Sequence, residues 1–157
     1  MSQEVHYFYI QPNGPRPDYR LFIAFLWHEG QNVDSDGDSY NPASKDWTYL
    51  FLCNRENEAE HMMISPVIRE DAPKGSLILE VKSGCDYLAA RCAYFLAVST
   101  RSGVSEKASE SAYHPAALAE RIKTEFDVEA AMQRVENSPF SHSTLENPYP
   151  NLPHSTS

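Results

Sequence analysis

The order of the predicted elements indicates an α+β fold, because β-rich segments fill the first half of the chain and helical patterns follow them. The chain has 157 residues, of which 41% are hydrophobic. A chain of this length buries about 70% of its unfolded surface and needs no disulfide to fold. We predict one domain over residues 1–136, with an antiparallel or mixed sheet of about five strands and two or three helices mainly on one face.

The first two strand signals differ in character. Residues 5–10 are aromatic and β-branched, and they end at a Pro-Asn-Gly-Pro turn cluster. Residues 19–28 are almost continuously apolar. Strands covered on both faces have this pattern, so the second run predicts a central strand.

Three further strand signals follow a polar loop over residues 29–46. Residues 47–53 are expected to pair with the preceding apolar run as a long-looped hairpin, because sequential strands are usually neighbours. Residues 61–68 and 76–82 predict two more short strands. Pro and Gly between them suit a tight connection.

The hydrophobic period then changes to that of a helix. Residues 84–100 place Leu and Phe side chains on one helical face. A second helical region covers residues 115–136, and Asp127 is a candidate cap for a separate final helix within it. Several prolines occur over residues 137–157, which predicts an extended or disordered tail without regular structure.

The composition narrows the functional classes. The formal charge is -9, and such a surface repels phosphate backbones, so we expect no nucleic-acid partner. The longest apolar run is far shorter than the roughly 18 residues of a membrane helix, so we expect no membrane association. The first residues lack the pattern of a secretory signal, and the expected location is the cytoplasm.

Acidic residues are concentrated in one region. Residues 29–60 contain eight carboxylates against two basic side chains, a net charge of -6. Clustered charge accelerates encounter with an oppositely charged partner, so we predict a face that binds a basic protein. The residues predicted for this face are Glu29, Asp34, Asp36, Asp38, Tyr40, Asp46 and Trp47, with the two aromatic side chains as anchors.

A calcium site is one alternative for the same region. Asn32, Asp34, Asp36 and Asp38 have the alternating oxygen ligands of the first half of a calcium loop, and Gly37 suits its sharp turn. The second half departs from the pattern, because Ala stands where the loop requires a bidentate Glu. The sequence also lacks a helical pattern immediately before the loop.

A second alternative rests on residues 71–82, which resemble the PD-(D/E)xK nucleases in one respect. Glu80 and Lys82 are separated by one residue at the end of an apolar strand, and Asp71 precedes them. In that family two carboxylates hold a divalent metal, here magnesium, and the lysine stabilises the attacking water. The resemblance implies these roles for Asp71, Glu80 and Lys82, although Glu70 replaces the proline of the motif.

A broader resemblance extends over the strand end and the first helix. Residues 80–84 are Glu-Val-Lys-Ser-Gly, and residues 87–100 include Ala-Tyr-Phe-Leu-Ala, with Gly-Val at 103–104. These features resemble small cytoplasmic immunity proteins of bacterial secreted toxins, of the polymorphic and type VI kinds. The resemblance implies an acidic α+β protein without enzymatic activity that occludes the active site of a cognate toxin.

The leading hypothesis is therefore a non-enzymatic acidic protein that inhibits a basic toxin, for example a nuclease, by binding it without a cofactor. The metal-dependent nuclease is the competing enzyme hypothesis. An adaptor or chaperone for another bacterial protein is the third. The sequence does not separate the adaptor from the inhibitor, because the two differ only in what happens to the partner.

Overall fold

The computed structural model describes residues 5–28, 30–39, 41–67, 76–106 and 111–150. Its strands are β1 (His6–Ile10), β2 (Val33–Gly37), β3 (Leu50–Asn54), β4 (His61–Val67) and β5 (Ile78–Ser83). Its helices are α1 (Arg20–Leu26), α2 (Asp86–Ser99), α3 (Pro115–Ile122) and α4 (Val128–Asn137), followed by a 3-10 helix (Pro139–His142). In these residues the strands form one open antiparallel sheet in the order β1-β5-β4-β3-β2.

The sheet has one buried face. The row Phe8, Val81, Ile64 and Leu50 crosses four paired strands, and all four side chains are buried. Successive residues of a strand point to opposite faces, so the neighbouring positions lie on the other side of the sheet. Apart from the buried Ile78, the strand side chains described on that second face are half-buried or exposed.

The fold class is confirmed as a single α+β domain, and the sheet is purely antiparallel. The described residues contain four α-helices, more than the two or three expected from the sequence. Helix α2 packs directly against β1, β5 and β4, while α3 packs against α2 and α4 packs against α1. None of the described helices is long and apolar enough to cross a membrane.

The central strand predicted over residues 19–28 is wrong, because this segment contains helix α1. A short apolar run does not distinguish a buried strand from a buried helix by its period. Local contacts favour the helix here: the Asp18 carboxylate accepts a hydrogen bond from the Arg20 amide at 2.9 Å, and the Asp18 carbonyl accepts one from Leu21 at 3.0 Å. The predicted hairpin with residues 47–53 is wrong as well, since β3 pairs with β2 and β4.

An aromatic cluster holds α1 in the core. Phe95 of α2 lies 4.9 Å from both Phe22 and Phe25, measured between ring centroids. Trp47 packs edge-on against Phe22 at 5.8 Å, and its indole N–H donates to the Pro17 carbonyl at 2.9 Å. Aromatic pairs of this kind add about 0.5–1.5 kcal/mol each beyond the area they bury.

The second helical region divides into two helices. Pro115 begins α3 as a first-turn proline, in agreement with the sequence, and the His114 side chain accepts a hydrogen bond from Ala116. Helix α4 begins after Asp127, whose carboxylate accepts from the Ala130 amide at 3.0 Å. Asp127 is therefore an N-cap, and the separate final helix is confirmed.

The segment after α4 folds back onto α1. The buried Asp18 carboxylate accepts hydrogen bonds from the Arg20 guanidinium and, at 2.6 Å, from the Ser143 hydroxyl. Arg20 also donates to the Pro148 carbonyl at 2.6 Å and lies 3.8 Å above the Phe140 ring. One ion pair thus fixes the position of residues 138–148 on the domain.

The predicted absence of regular structure after residue 136 is corrected for part of this segment, because Pro139–His142 forms a 3-10 helix. A proline at the first position of a helix loses no hydrogen bond, so Pro139 is compatible with this turn. The Ser138 side chain accepts from the Phe140 amide at 3.2 Å and caps the turn. Residues 151–157 lie outside the described part of the chain.

We predict that Asp18→Asn lowers the free energy of unfolding by about 3 kcal/mol, because it leaves a mostly buried guanidinium without its carboxylate. Urea unfolding at neutral pH measures the change. Ser143→Ala is the matched control, since it removes one hydrogen bond to the same carboxylate, and we expect a loss of about 1 kcal/mol. Equal losses for the two variants would contradict a dominant role for the ion pair.

Candidate protein-binding site

Strand β2 forms one edge of the sheet, and β3 is its sole neighbour among the described strands. Asp and Gly are poor strand formers, so its sequence predicts a loop rather than a strand. Pairing with the apolar strand β3 overrides that preference over five residues. The predicted polar loop is thus partly an acidic edge strand.

Two carboxylates on β2 point to the same side of the sheet. Asp34 and Asp36 are two residues apart and face away from the helices, opposite Cys53 and Phe51 of β3. The Arg55 guanidinium lies 3.0 Å from Asp34 and 4.0 Å from Glu58. All three of these charged side chains are more than half exposed, and exposed ion pairs contribute little to stability.

Asp38 has a structural role that the other two lack. Its carboxylate accepts hydrogen bonds from the Thr48 amide at 3.0 Å, the Thr48 hydroxyl at 2.8 Å and the Tyr49 amide at 3.1 Å. Desolvation acts to raise the pKa of Asp38, but these hydrogen bonds outweigh it and lower the pKa below its ordinary value. The side chain closes the connection between β2 and β3.

A small cavity lies beside β2 on the helix side of the sheet. Its volume is about 220 Å³. The residues that line it come from the start of α1, from β2 and the residue Ser39 after it, and from the start of β3 and the residues before it: Tyr19, Ser35, Asp36, Gly37, Ser39, Trp47, Tyr49 and Leu50. We call it the β2 pocket. Pockets that hold whole small molecules are usually larger, roughly 300–1,000 Å³, so this one suits a single side chain.

The outer face of the sheet carries a row that crosses all five strands. Tyr7, Lys82, Met63, Phe51 and Asp36 are successive cross-strand partners. Tyr7 and Asp36 are exposed at the two ends, and the three residues between them are half-buried. We call this face the open face. It combines a lysine, a thioether and an aromatic ring at its centre with an acidic end at β2.

The residues predicted to form the binding face differ in their exposure. Asp34, Asp36, Asp38 and Asp46 are exposed, and the Asp46 carboxylate accepts a hydrogen bond from the Ser44 hydroxyl. Glu29 and Tyr40 lie outside the described residues. The expectation of an exposed Trp47 anchor is corrected, because this side chain is only 2% exposed and belongs to the aromatic core.

The segment proposed as a calcium loop does not have the geometry of such a loop. Asn32 leads into an extended strand, so Asp34 and Asp36 alternate along β2 instead of turning inward around an ion. The carboxylate of Asp38 is bonded to Thr48 and Tyr49. In the part of the chain that the structure describes, no group of three or more His, Cys, Asp or Glu side chains is placed to hold a metal ion.

The structure describes two of the three residues of the nuclease alternative. Glu80 and Lys82 lie on the open face of β5, as their alternation predicts. Glu80 faces Tyr9 of β1 and Ser65 of β4, and Lys82 faces Tyr7 and Met63. Asp71 lies outside the described residues. The strand therefore supplies one carboxylate and one lysine to the open face.

Glu60 belongs to a hydrogen-bond network at the end of the sheet. Its carboxylate accepts from the Trp27 indole at 3.0 Å, from the Asn54 amide at 2.9 Å and from the Tyr87 hydroxyl. Desolvation acts to raise the pKa of Glu60, but these hydrogen bonds outweigh it and lower the pKa. The neighbouring His61 ring bonds to the Glu58 carbonyl at 3.0 Å. These contacts make Glu60 a structural anchor.

Comparisons with known proteins give no family for the chain: no protein-family model, no curated protein and no solved structure matches it significantly. The function is therefore inferred from the geometry of the sheet and its charges.

Sequence reasoning missed three side chains of the open face. These are Tyr7, Phe51 and Met63, which lie in three segments that the sequence predicts as strands. Alternation along each strand separates the residues of its two faces. The missing information was which face the helices cover. The β2 pocket was missed because the segments that form it were assigned to other elements.

We predict that Asp38→Asn lowers the free energy of unfolding by about 1 kcal/mol at pH 7, because an amide is a weaker acceptor for the three donors of residues 48 and 49. Asp36→Asn is the control and should change it by less than about 0.5 kcal/mol, as exposed sites usually do. Urea unfolding measures both variants.

The pH dependence has a defined sign. The folded-state pKa of Asp38 is lowered, so its stabilisation is present above the ordinary aspartate pKa and is lost as pH falls through the lowered value. The stability difference between wild type and Asp38→Asn should therefore shrink in acid. A difference that stays constant down to pH 3 would contradict this role.

Proposed function

We propose that the chain is a non-enzymatic binding protein that inhibits a basic protein partner, using the open face and the acidic edge of β2. The observation that carries the proposal is the row from Tyr7 to Asp36, which lies on the side of the sheet away from the described helices. A sheet face of this composition that the described helices leave open is a suitable surface for a folded partner.

This surface includes side chains of the types that contribute most to protein association. Tyrosine is enriched among residues whose removal weakens complexes, and phenylalanine and methionine are common in interface centres. Met63 and Phe51 are half-buried in the middle of the row, and Tyr7 is 42% exposed at its β1 end, separated from Met63 by Lys82. Covering them would bury aromatic and thioether area that now contacts solvent.

The rim of the surface favours a basic partner. Asp34, Asp36 and the nearby Glu58 project from β2 and from the turn between β3 and β4, and Arg55 offsets part of their charge. Charge complementarity of this kind increases association rates and discriminates against acidic partners. A basic catalytic cleft has the complementary charge, which supports inhibition by occlusion.

The resemblance to immunity proteins of secreted toxins agrees with this proposal and gives it a specific form. In that form the partner is a cognate toxin, such as a nuclease whose basic cleft binds phosphates. An adaptor or chaperone would use the same surface and leave its partner active. Activity of the captured partner therefore separates the two.

Affinity capture from the lysate of the producing cell, at low ionic strength, tests the proposal. We expect one basic protein to be retained by wild type and by Glu120→Gln/Glu136→Gln, a control that removes two exposed carboxylates from α3 and α4. Asp34→Asn/Asp36→Asn should slow association about tenfold, and the difference should fall as salt screens the charges. Asp38 is left intact because it holds the loop.

The captured partner is then assayed alone and with the chain. Loss of its activity in proportion to bound chain supports the inhibitor. Full activity in the complex contradicts inhibition and favours the adaptor. Equal association rates for wild type and the β2 double variant would remove the acidic edge from the interface.

A further inference from the structure

The outer edge of β2 presents backbone groups that no other described strand uses. At its two ends, the Arg55 amide donates to the Asn32 carbonyl at 2.8 Å and the Asp38 amide donates to the Tyr49 carbonyl at 3.4 Å. Hydrogen-bonded positions alternate along an antiparallel pair, so the even-numbered residues of β2 bond to β3. Val33, Ser35 and Gly37 therefore direct their N–H and C=O groups outward.

Two of these outward positions are available for pairing. The Gly37 amide donates to its neighbour's carboxylate, Asp36 Oδ1, at 2.9 Å. The outward groups of Val33 and Ser35 have no hydrogen-bond partner in the described part of the chain. An extended segment can add to such an edge and form main-chain hydrogen bonds.

The two sides of this edge differ in chemistry. Ser35 lies opposite Leu52 on the helix side, where the β2 pocket opens beside it. Asp34 and Asp36 lie on the open face. Side chains of an added strand would alternate in the same way, so one enters the pocket while its two neighbours meet carboxylates.

The charges determine which segment fits. A second copy of β2 would bring aspartates against aspartates, and like charges on neighbouring strands are destabilising. Lysine or arginine at the two positions beside Asp34 and Asp36 forms opposite-charge pairs. An apolar residue between them matches a pocket whose lining includes Tyr19, Trp47 and Tyr49.

We propose that β2 accepts an extended basic–apolar–basic segment of the partner as a sixth strand, with the apolar side chain in the β2 pocket. This inference rests on the proposed function, because it specifies how the basic partner is held. It adds a backbone contact at Ser35 that charge complementarity alone does not require.

Ser35→Pro tests the backbone contact directly. The outward amide of Ser35 contributes nothing to the ladder with β3, and proline is tolerated in edge strands at such positions. Ser35→Ala is the matched control, because it removes the hydroxyl and keeps the amide. We expect at least a tenfold rise in the partner's dissociation constant for Ser35→Pro, at most twofold for Ser35→Ala, and the same unfolding midpoint for both.

The outcomes separate the two proposals. A partner that binds Ser35→Pro and wild type equally, and still depends on Asp34 and Asp36, overturns strand addition and leaves the proposed function standing. If Ser35→Pro does not fold, binding of a peptide to the wild-type protein tests strand addition instead.

The probe is a blocked Thr-Lys-Val-Lys-Thr peptide at millimolar concentration and low salt. Amide resonances of Val33–Gly37 should shift, and the same peptide with an N-methylated central valine should bind at least fivefold more weakly. A Thr-Glu-Val-Glu-Thr peptide should not bind. Equal binding of the methylated peptide, shifts confined to other elements, or no binding of the lysine peptide overturns the inference.

Discussion

The aromatic contacts between α1 and α2 are the constraint on which the rest of the structure depends. Phe22 and Phe25 pack around Phe95, and this packing places residues 20–26 against α2 as a helix rather than within the sheet as a strand. The strand next to β3 must then come from the following segment, which is acidic. Burial of apolar side chains in one segment thus places Asp34 and Asp36 at the sheet edge.

The same packing leaves the two faces of the sheet unequal. The described helices lie on the side of Phe8 and Val81, so the side of Phe51 and Met63 retains exposed area next to the acidic edge. The Asp18–Arg20 pair brings the C-terminal segment onto α1 as well, on the helix side of the domain. The aromatic core and the Asp18–Arg20 pair therefore lie away from the surface that we propose for binding.

Most of the strands could be predicted because their side chains alternate: β1 and β4 lie within segments identified from the sequence, and β3 and β5 each extend one residue beyond theirs. Helix α1 could not, since a uniformly apolar run has no period that separates a helix from a strand. Strand β2 could not, since tertiary pairing overrides the preferences of Asp and Gly. The acidic residues of the site could be identified from the sequence. The role of Ser35 and the presence of the pocket could not, because both depend on the position of β2 at the edge of the sheet.

Amide hydrogen exchange of the chain, alone and saturated with the captured partner, is the decisive test of binding at the acidic edge of the sheet. We expect slower exchange at the outward amides of Val33 and Ser35 in the complex, because they gain hydrogen-bond partners or lose solvent contact. Slower exchange confined to α3 and α4, with the β2 amides unchanged, would contradict a binding surface built on the acidic edge of the sheet.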